Sequence, residues 1–341
     1  MVAPRLRRIG FFSYLAGDDD PKRLLKETIE TFRVAEELGF DSVWVAQHHF
    51  LSRVGTLPSP LPFLAAVAAR TSRIHLGTAV VILPAEQPVR LVEDASVVDL
   101  LSGGRLELGV GSGTDPGVFR ALGVDPDQRV RRMVDGLTTL TTALDGDPLP
   151  TGQRVHPPAP GLRDRLWQGL YSPERAEQAA RLGIHVLLPK VSPGSPVASP
   201  EGHAAAAEAF FRTWSRPSPG RVALSRPAYP SVDRATAIAE LGAELRLQAE
   251  LQNEQRKRAS LPPDMTAESY AASGAYHLGS SEEVAASLAA DPALAWATDL
   301  LFQVGQVGPG PALTRRALER LALEVAPRLG WRPSYAPAGT E

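Results

Sequence analysis

Two adjacent histidines, His48 and His49, stand in "WVAQHHFLSRVG", residues 44–55, directly before the aromatic Phe50. The whole chain holds seven histidines. Imidazole changes charge near neutrality, so either ring can move a proton in a reaction. Neighbours on a strand point to opposite faces, which lets one of the pair face a site while the other packs. A packed, hydrogen-bonded pair is the alternative reading. No Asp, Glu or further His stands near the pair at metal-ligand spacing, so no metal site is expected.

Three other groups can receive an anion or a flat ring. "GVGSG", residues 109–113, puts Gly111 and Ser112 where backbone can approach a ligand closely. It lacks the GxGxxG spacing of a dinucleotide fold. "GLYSPE", residues 169–174, contains a helix start at Ser172-Pro173. Its amides and the Ser172 hydroxyl can hold an anion at the positive end of a helix, or Ser172 can be a plain N-cap. Arg129, at the start of the helix after the glycines, is a candidate cation or a solvated surface arginine.

The elements that must position these residues recur as apolar runs, each followed by a helical segment. The runs are 8–14, 41–45, 74–82, 105–111, 164–170, 184–189, 221–229 and 298–305. The first helix carries Leu25, Ile29, Phe32 and Ala35 at three- and four-residue spacing and is stopped by Gly39. Further helices are expected at 62–71, 88–104, 128–145, 172–183, 203–214, 234–258, from about Ser281, and at 312–329. Eight such beats predict a (β/α)8 barrel, with a doubly wound open sheet as the alternative. In both, chemistry sits at the C-terminal ends of the strands, which is where His48, Gly111 and Ser172 fall.

Composition narrows the function further. A net charge of −2 over 341 residues gives neither a basic stripe for nucleic acid nor a polybasic membrane patch. The absence of cysteine excludes disulfides and thiolate chemistry. With no apolar run of spanning length and no signal-like segment, a soluble cytoplasmic protein is expected. The 31 prolines cluster at 58–62, 148–160, 189–200 and 217–230, as in a scaffold with stiffened loops. One domain over 1–341 is expected, with an insertion at about 190–220 and a short tail at 333–341.

Taken together, "GFDSVWVAQHHF", "IHLGTAVVILPAEQPVRLVEDASVVDLLSGGRLELGVGSG", "LWQGLYSPERAEQAARLG" and "HLGSSEEVAASL" before "DLLFQV" resemble the bacterial luciferase-like flavin-dependent monooxygenases. The resemblance runs in order along nearly the whole chain. It implies a (β/α)8 barrel with an insertion after strand six or seven, and a homodimer. His48 matches a histidine important for catalysis in the luciferase branch, whereas Gln47 stands where Glu is usual. Thr78, Ala79 and Val80 match the place where the family holds a cis peptide against the flavin ring, so a cis Ala79–Val80 bond is expected. Ser112, after Gly111, stands where the family often has a phosphate arginine. Arg129 matches a second such arginine, and Leu170, Tyr171 and Ser172 match the phosphate-binding turn.

The implied activity is a two-component monooxygenase. Reduced FMN from a separate flavin reductase meets dioxygen, and a flavin C(4a)-peroxide oxidises a small organic substrate, aldehydes and ketones being candidates. No NAD(P)H motif is visible. A deazaflavin-dependent oxidoreductase and a non-catalytic flavin-binding protein are the rivals. His48 is expected to face the barrel mouth with an ordinary imidazole pKa, and His49 to turn away into structure. Loops 111–127, 190–220 and 258–280 are expected to shape the pocket.

Overall fold

The computed structural model describes residues 6–16, 20–51, 55–258 and 260–333. The strands are β1 (Arg8–Ser13), β2 (Ser42–Val45), β3 (His75–Thr78), β4 (Val81–Ile82), β5 (Leu106–Gly111), β6 (Leu166–Gly169), β7 (His185–Leu188), β8 (Val222–Pro230), β9 (His277–Gly279) and β10 (Asp299–Gln303). Eight of them, β1-β2-β3-β5-β6-β7-β8-β10, form a ring in which every pairing is parallel. β10 closes it, pairing with β8 on one side (Asp299↔Ala223) and β1 on the other (Arg8↔Asp299). Closure rules out the doubly wound sheet, which would leave two edges.

The run expected as one strand at 74–82 is interrupted. β3 ends at Thr78, the Ala79–Val80 peptide is cis, and β4 resumes against β5 at Val81↔Val110. β9 lies outside the ring and extends β8 at Ala228↔His277. It falls within the segment 258–280 read only as loop, because three residues are too short to show a period.

Each helix lies where its boundary residues dictate. Pro21–Glu37 is capped by Asp20, whose carboxylate accepts from the amides of Lys22 and Arg23 at 3.0 and 3.1 Å. It buries Phe32 and Ala35 against the barrel, and the chain turns away at Gly39 with φ 91°. The helix Pro200–Thr213, in the expected insertion, packs on Pro173–Leu182 between β7 and β8 and is thus the barrel's own helix there. The longest excursion comes instead after β8, over 231–298. The stretch 234–258 forms two helices, Arg234–Glu240 and Gly242–Arg258. Of the expected tail, all beyond Pro333 lies outside the described residues.

The barrel interior is filled by Phe12, Trp44, Ala46, Trp167, Leu187, Ala223 and Leu301. The two indoles meet edge to face at 5.6 Å. Gly77 makes room for them, since a Cβ there would stand 2.1 Å from the Trp44 ring. This packing plugs the barrel, so a ligand site falls above it, at the C-terminal ends of the strands. No helix among the described residues is long and apolar enough to cross a membrane.

Candidate active site

A cavity of about 340 Å³ opens at that end. Its floor is apolar, made by Phe12, Ala46, Ala79, Val80, Leu187 and Leu301. Two glycines fit it to Val80: a Cβ on Gly111 would lie 2.4 Å from the valine Cγ2, and one on Gly169 would lie 3.0 Å from Cγ1. At the rim are Ser112, Gly113 and Thr114 on one side and Leu170 and Tyr171 on another.

His48 lines this cavity beyond the end of β2, held by its amide bonding to Leu57 O at 2.9 Å. The ring packs against Gly55, where a Cβ would strike Nδ1 at 2.4 Å, and lies 5.8 Å from the Tyr14 ring. Its buried Nδ1 has no hydrogen-bond partner. Burial, with His49 adding to it, pushes the pKa down to about 4. The ordinary imidazole value expected from sequence is therefore corrected: near neutrality His48 is an uncharged ring, a proton acceptor or a neutral donor.

His49 does not turn away as expected. It also lines the cavity, with its Nε2 buried and unpartnered. Its pKa is lowered by burial, against the opposing pull of Glu86. Phe50 is 70% exposed with φ 60° and plays no part in the floor.

Gln47, found where Glu is usual, is a strut. Its Oε1 accepts from the Ile82 amide at 2.6 Å, and its Nε2 donates to Pro58 O at 3.0 Å and to Glu86 Oε1 at 2.7 Å. Glu86, bonded to Gln47, also brings a negative charge near His49.

Seven of the ten residues singled out by sequence, His48, Ala79, Val80, Gly111, Ser112, Leu170 and Tyr171, line the one cavity. Thr78, Arg129 and Ser172 stand behind its wall. The Thr78 hydroxyl is consumed by the backbone of Gly109, donating to its oxygen at 2.7 Å and accepting from its amide at 2.8 Å. The Arg129 guanidinium donates from Nη1 to Gly113 O at 2.7 Å and to Ser112 Oγ at 3.3 Å, tying its helix to the glycine loop. Ser172 is the N-cap residue of Pro173–Leu182, yet its side chain makes no capping bond.

Sequence reasoning missed Tyr14, Lys190, Ser225 and Gln303, which also line the cavity. Tyr14 and Lys190 follow their strands by one and two residues, and Gln303 ends β10, so the strand-end rule alone could have found them. Burial, then Tyr171 and Glu244, raise the Tyr14 phenol well above its ordinary value, making it a donor at any physiological pH. Gln303 Nε2 donates to Ser225 Oγ at 2.5 Å. An apolar floor, two neutral imidazoles and a polar rim can hold a flat aromatic group with an anionic tail and handle a proton beside it.

The chain resembles 4-hydroxyprotoasukamycin monooxygenase of Streptomyces nodosus subsp. asukaensis, 37% identical over 146 residues, 42% of this chain and 39% of that protein. The chain thus matches less than two thirds of that curated relative's length. In fold it is similar to the oxygenating constituent of 3,6-diketocamphane monooxygenase from Pseudomonas putida, solved with FMN, at 17% identity and TM-score 0.76 over 95% of this chain and 98% of that one. It is similar also to an F420-dependent secondary alcohol dehydrogenase, at 16% identity and TM-score 0.70 over 95% and 99%. The sequence profile described as luciferase-like monooxygenase matches residues 9–299. The chain belongs to the luciferase-like monooxygenase family, a family of oxidoreductases.

Proposed function

We propose that the protein is the oxygenating component of a two-component system, taking reduced FMN from a separate flavin reductase and using dioxygen to oxidise a small organic substrate. The observation that carries this reading is the division of the cavity into an apolar floor and a polar rim beside two neutral imidazoles. The residues present fit a flavin. Ala79, Val80 and Gly111 form a surface that a flat ring can approach, and Ser112, Leu170 and Tyr171 line the rim where a phosphate would sit, with Arg129 behind them holding the glycine loop through Ser112 and Gly113. Reduced FMN, when bound, supplies the electrons that activate dioxygen. His48, uncharged and with Nδ1 buried, accepts or returns a proton through Nε2 at the cavity. Tyr14 donates a hydrogen bond there, and the apolar floor keeps water from the ring.

The test is titration of the purified protein with FMN and with a deazaflavin coenzyme, followed by oxygen uptake with chemically reduced FMN. Tight binding of FMN and oxygen uptake coupled to substrate oxidation are the expected results. Selective binding of the deazaflavin would favour the dehydrogenase-like rival, and binding without uptake the non-catalytic one. A cytoplasmic homodimer completes the reading. Helices Pro88–Leu101 and Arg129–Leu144 pack side by side and expose Val97, Leu100, Leu101, Val130 and Val134, an apolar face suited to a second copy.

A further inference from the structure

A second cavity, of about 290 Å³, adjoins the first, and Tyr14 and Lys190 line both. Its walls come from loop 190–193 and the helix Gly242–Arg258, with Tyr270 and Gln306. Its chemistry differs from the flavin-sized cavity. Four amide side chains, Gln248, Gln252, Gln255 and Gln306, line it with the Lys190 ammonium, and the exposed Glu254 at its edge is already paired with Lys257 Nζ at 2.7 Å.

Among the described residues, Lys190 is held at the junction by one hydrogen bond, from Nζ to Gln248 Oε1 at 2.8 Å. An ammonium carries three donors, so two remain for whatever enters. Glu244 is the nearest carboxylate in this chain of contacts, but it is reached only through Gln248, whose Nε2 donates to Glu244 Oε1 at 2.9 Å. The other Glu244 oxygen is occupied by the Val307 amide at 2.9 Å. Gln248 also donates to Gln306 Oε1 at 2.6 Å, so the bridge between Lys190 and Glu244 is locked. Burial drives the Lys190 ammonium towards its neutral form, with only Glu244 opposing. A half-buried cation with spare donors and a remote counter-charge is stabilised by an incoming anion.

We propose that this second cavity is the subsite for the acidic end of the substrate. Lys190 pairs there with a carboxylate or enolate while the reacting part lies in the first cavity past Tyr14. The exposed Arg258 lines the same cavity and favours the same charge. The glutamines supply neutral donors and acceptors that orient the group, and only Gln248 takes a donor from Lys190. The substrate class is thus a small organic acid, or an enolisable dicarbonyl, with an apolar oxidisable portion. This inference rests on the first cavity being the flavin site.

The experiment uses benzoate and its neutral isostere benzamide as probes, with binding to the full chain followed by calorimetry in the presence and absence of FMN. The wild type is expected to prefer benzoate by about tenfold or more, the advantage of a charge-assisted bond. Lys190→Met should abolish the preference and Lys190→Arg restore it, each variant first checked for native circular dichroism and thermal unfolding. Lys190→Met removes a desolvated cation but leaves Gln248 Oε1 without its donor, so Lys190→Gln, which keeps a donor without the charge, is run beside it and should lose the preference in the same way. Equal binding of the two probes, no binding of either, or a preference surviving in Lys190→Met would overturn the proposal. Mutual exclusion of benzoate and FMN would overturn it too, by assigning Lys190 to the flavin. Failure of FMN to bind, with the benzoate preference intact and dependent on Lys190, would sink the flavin reading and leave the acidic subsite standing.

Discussion

The two ends of the barrel treat buried polar groups in opposite ways. At the N-terminal end, Glu107 is fully buried and saturated. Arg221 reaches both its oxygens at 3.0 and 3.1 Å, Arg8 lies at 3.3 Å, His75 at 3.1 Å, and Trp167 donates to it at 2.6 Å. Arg221 also binds Asp299 at 2.6 Å. Burial alone would raise the Glu107 carboxyl. Arg221, then His75 and Arg8, outweigh it and hold the group well below the usual carboxylate range. His185, at the same end, has both ring nitrogens in contact with backbone, at Asp164 O and the Arg221 amide. At the C-terminal end, His48 and His49 each bury a ring nitrogen with no partner. One end spends its polar groups on closing the barrel. The other leaves them unspent, at a cost in stability that only a bound ligand or a reaction can recover.

The largest expected effect breaks the open end. His48→Ala should still bind FMN but lose turnover by about 100- to 10,000-fold, the contribution of a positioned acid or base. Steady-state oxygenation and flavin fluorescence check the two halves of that statement, and turnover like wild type would reduce the ring to packing. Breaking the closed end should act on stability instead. Glu107→Gln leaves Arg221 half-compensated in a dry site and should cost about 3–5 kcal/mol in chemical denaturation. Flavin affinity of the folded fraction should not change. Arg129→Ala, behind the glycine loop, is expected to weaken FMN binding by about 10- to 150-fold, read by fluorescence titration.

The smallest effect sharpens the contrast through pH. Burial lowers His48, His185 and His277 to about 4 and His203 to about 3. Between the ordinary histidine value and about 4, the unfolded chain takes up protons that the folded chain refuses. Stability is therefore full above about pH 6.5 and is lost as pH falls through that window. The contribution of Glu107, with its depressed carboxyl, persists lower and is lost only below the ordinary carboxylate range. In urea midpoints between pH 7 and 4.5, His48→Gln should flatten the slope by up to one proton, on the order of 1–3 kcal/mol. An unchanged slope would mean that the ring is protonated when folded.

Much of this arrangement is legible in the sequence, and the limits have physical causes. The eight ring strands show because burial on both faces makes their runs continuously apolar. The break at Ala79–Val80 does not show as a period, and only the resemblance pointed to it. The helix 234–258 reads as one because nothing in its apolar spacing marks the junction at Leu241-Gly242. At the site, His48, Gly111 and Leu170 announce themselves by motif. Tyr14, Lys190 and Gln303 have no motif around them, and only their places at strand ends could have marked them. Glu86 is invisible for another reason. Its closeness to Gln47 and His49 comes from the path of the chain after β4, 39 residues from Gln47. The pKa of His48 is a property of its enclosure, which residue type cannot carry.

The pairing of β10 with β1 sets a clock on synthesis. Arg8 and Asp299 are register partners, yet almost the whole chain separates them. At a translation rate of about 5–20 residues per second, β1 waits roughly fifteen seconds to a minute for the strand that covers its second edge. Throughout that interval the row of backbone donors and acceptors on that side, flanked by Ile9 and Phe11, is a template for any passing strand. In a nascent chain the first strand thus keeps an open edge longest, and a synonymous slowing of translation before residue 299 would lengthen that exposure without altering a single contact in the finished barrel.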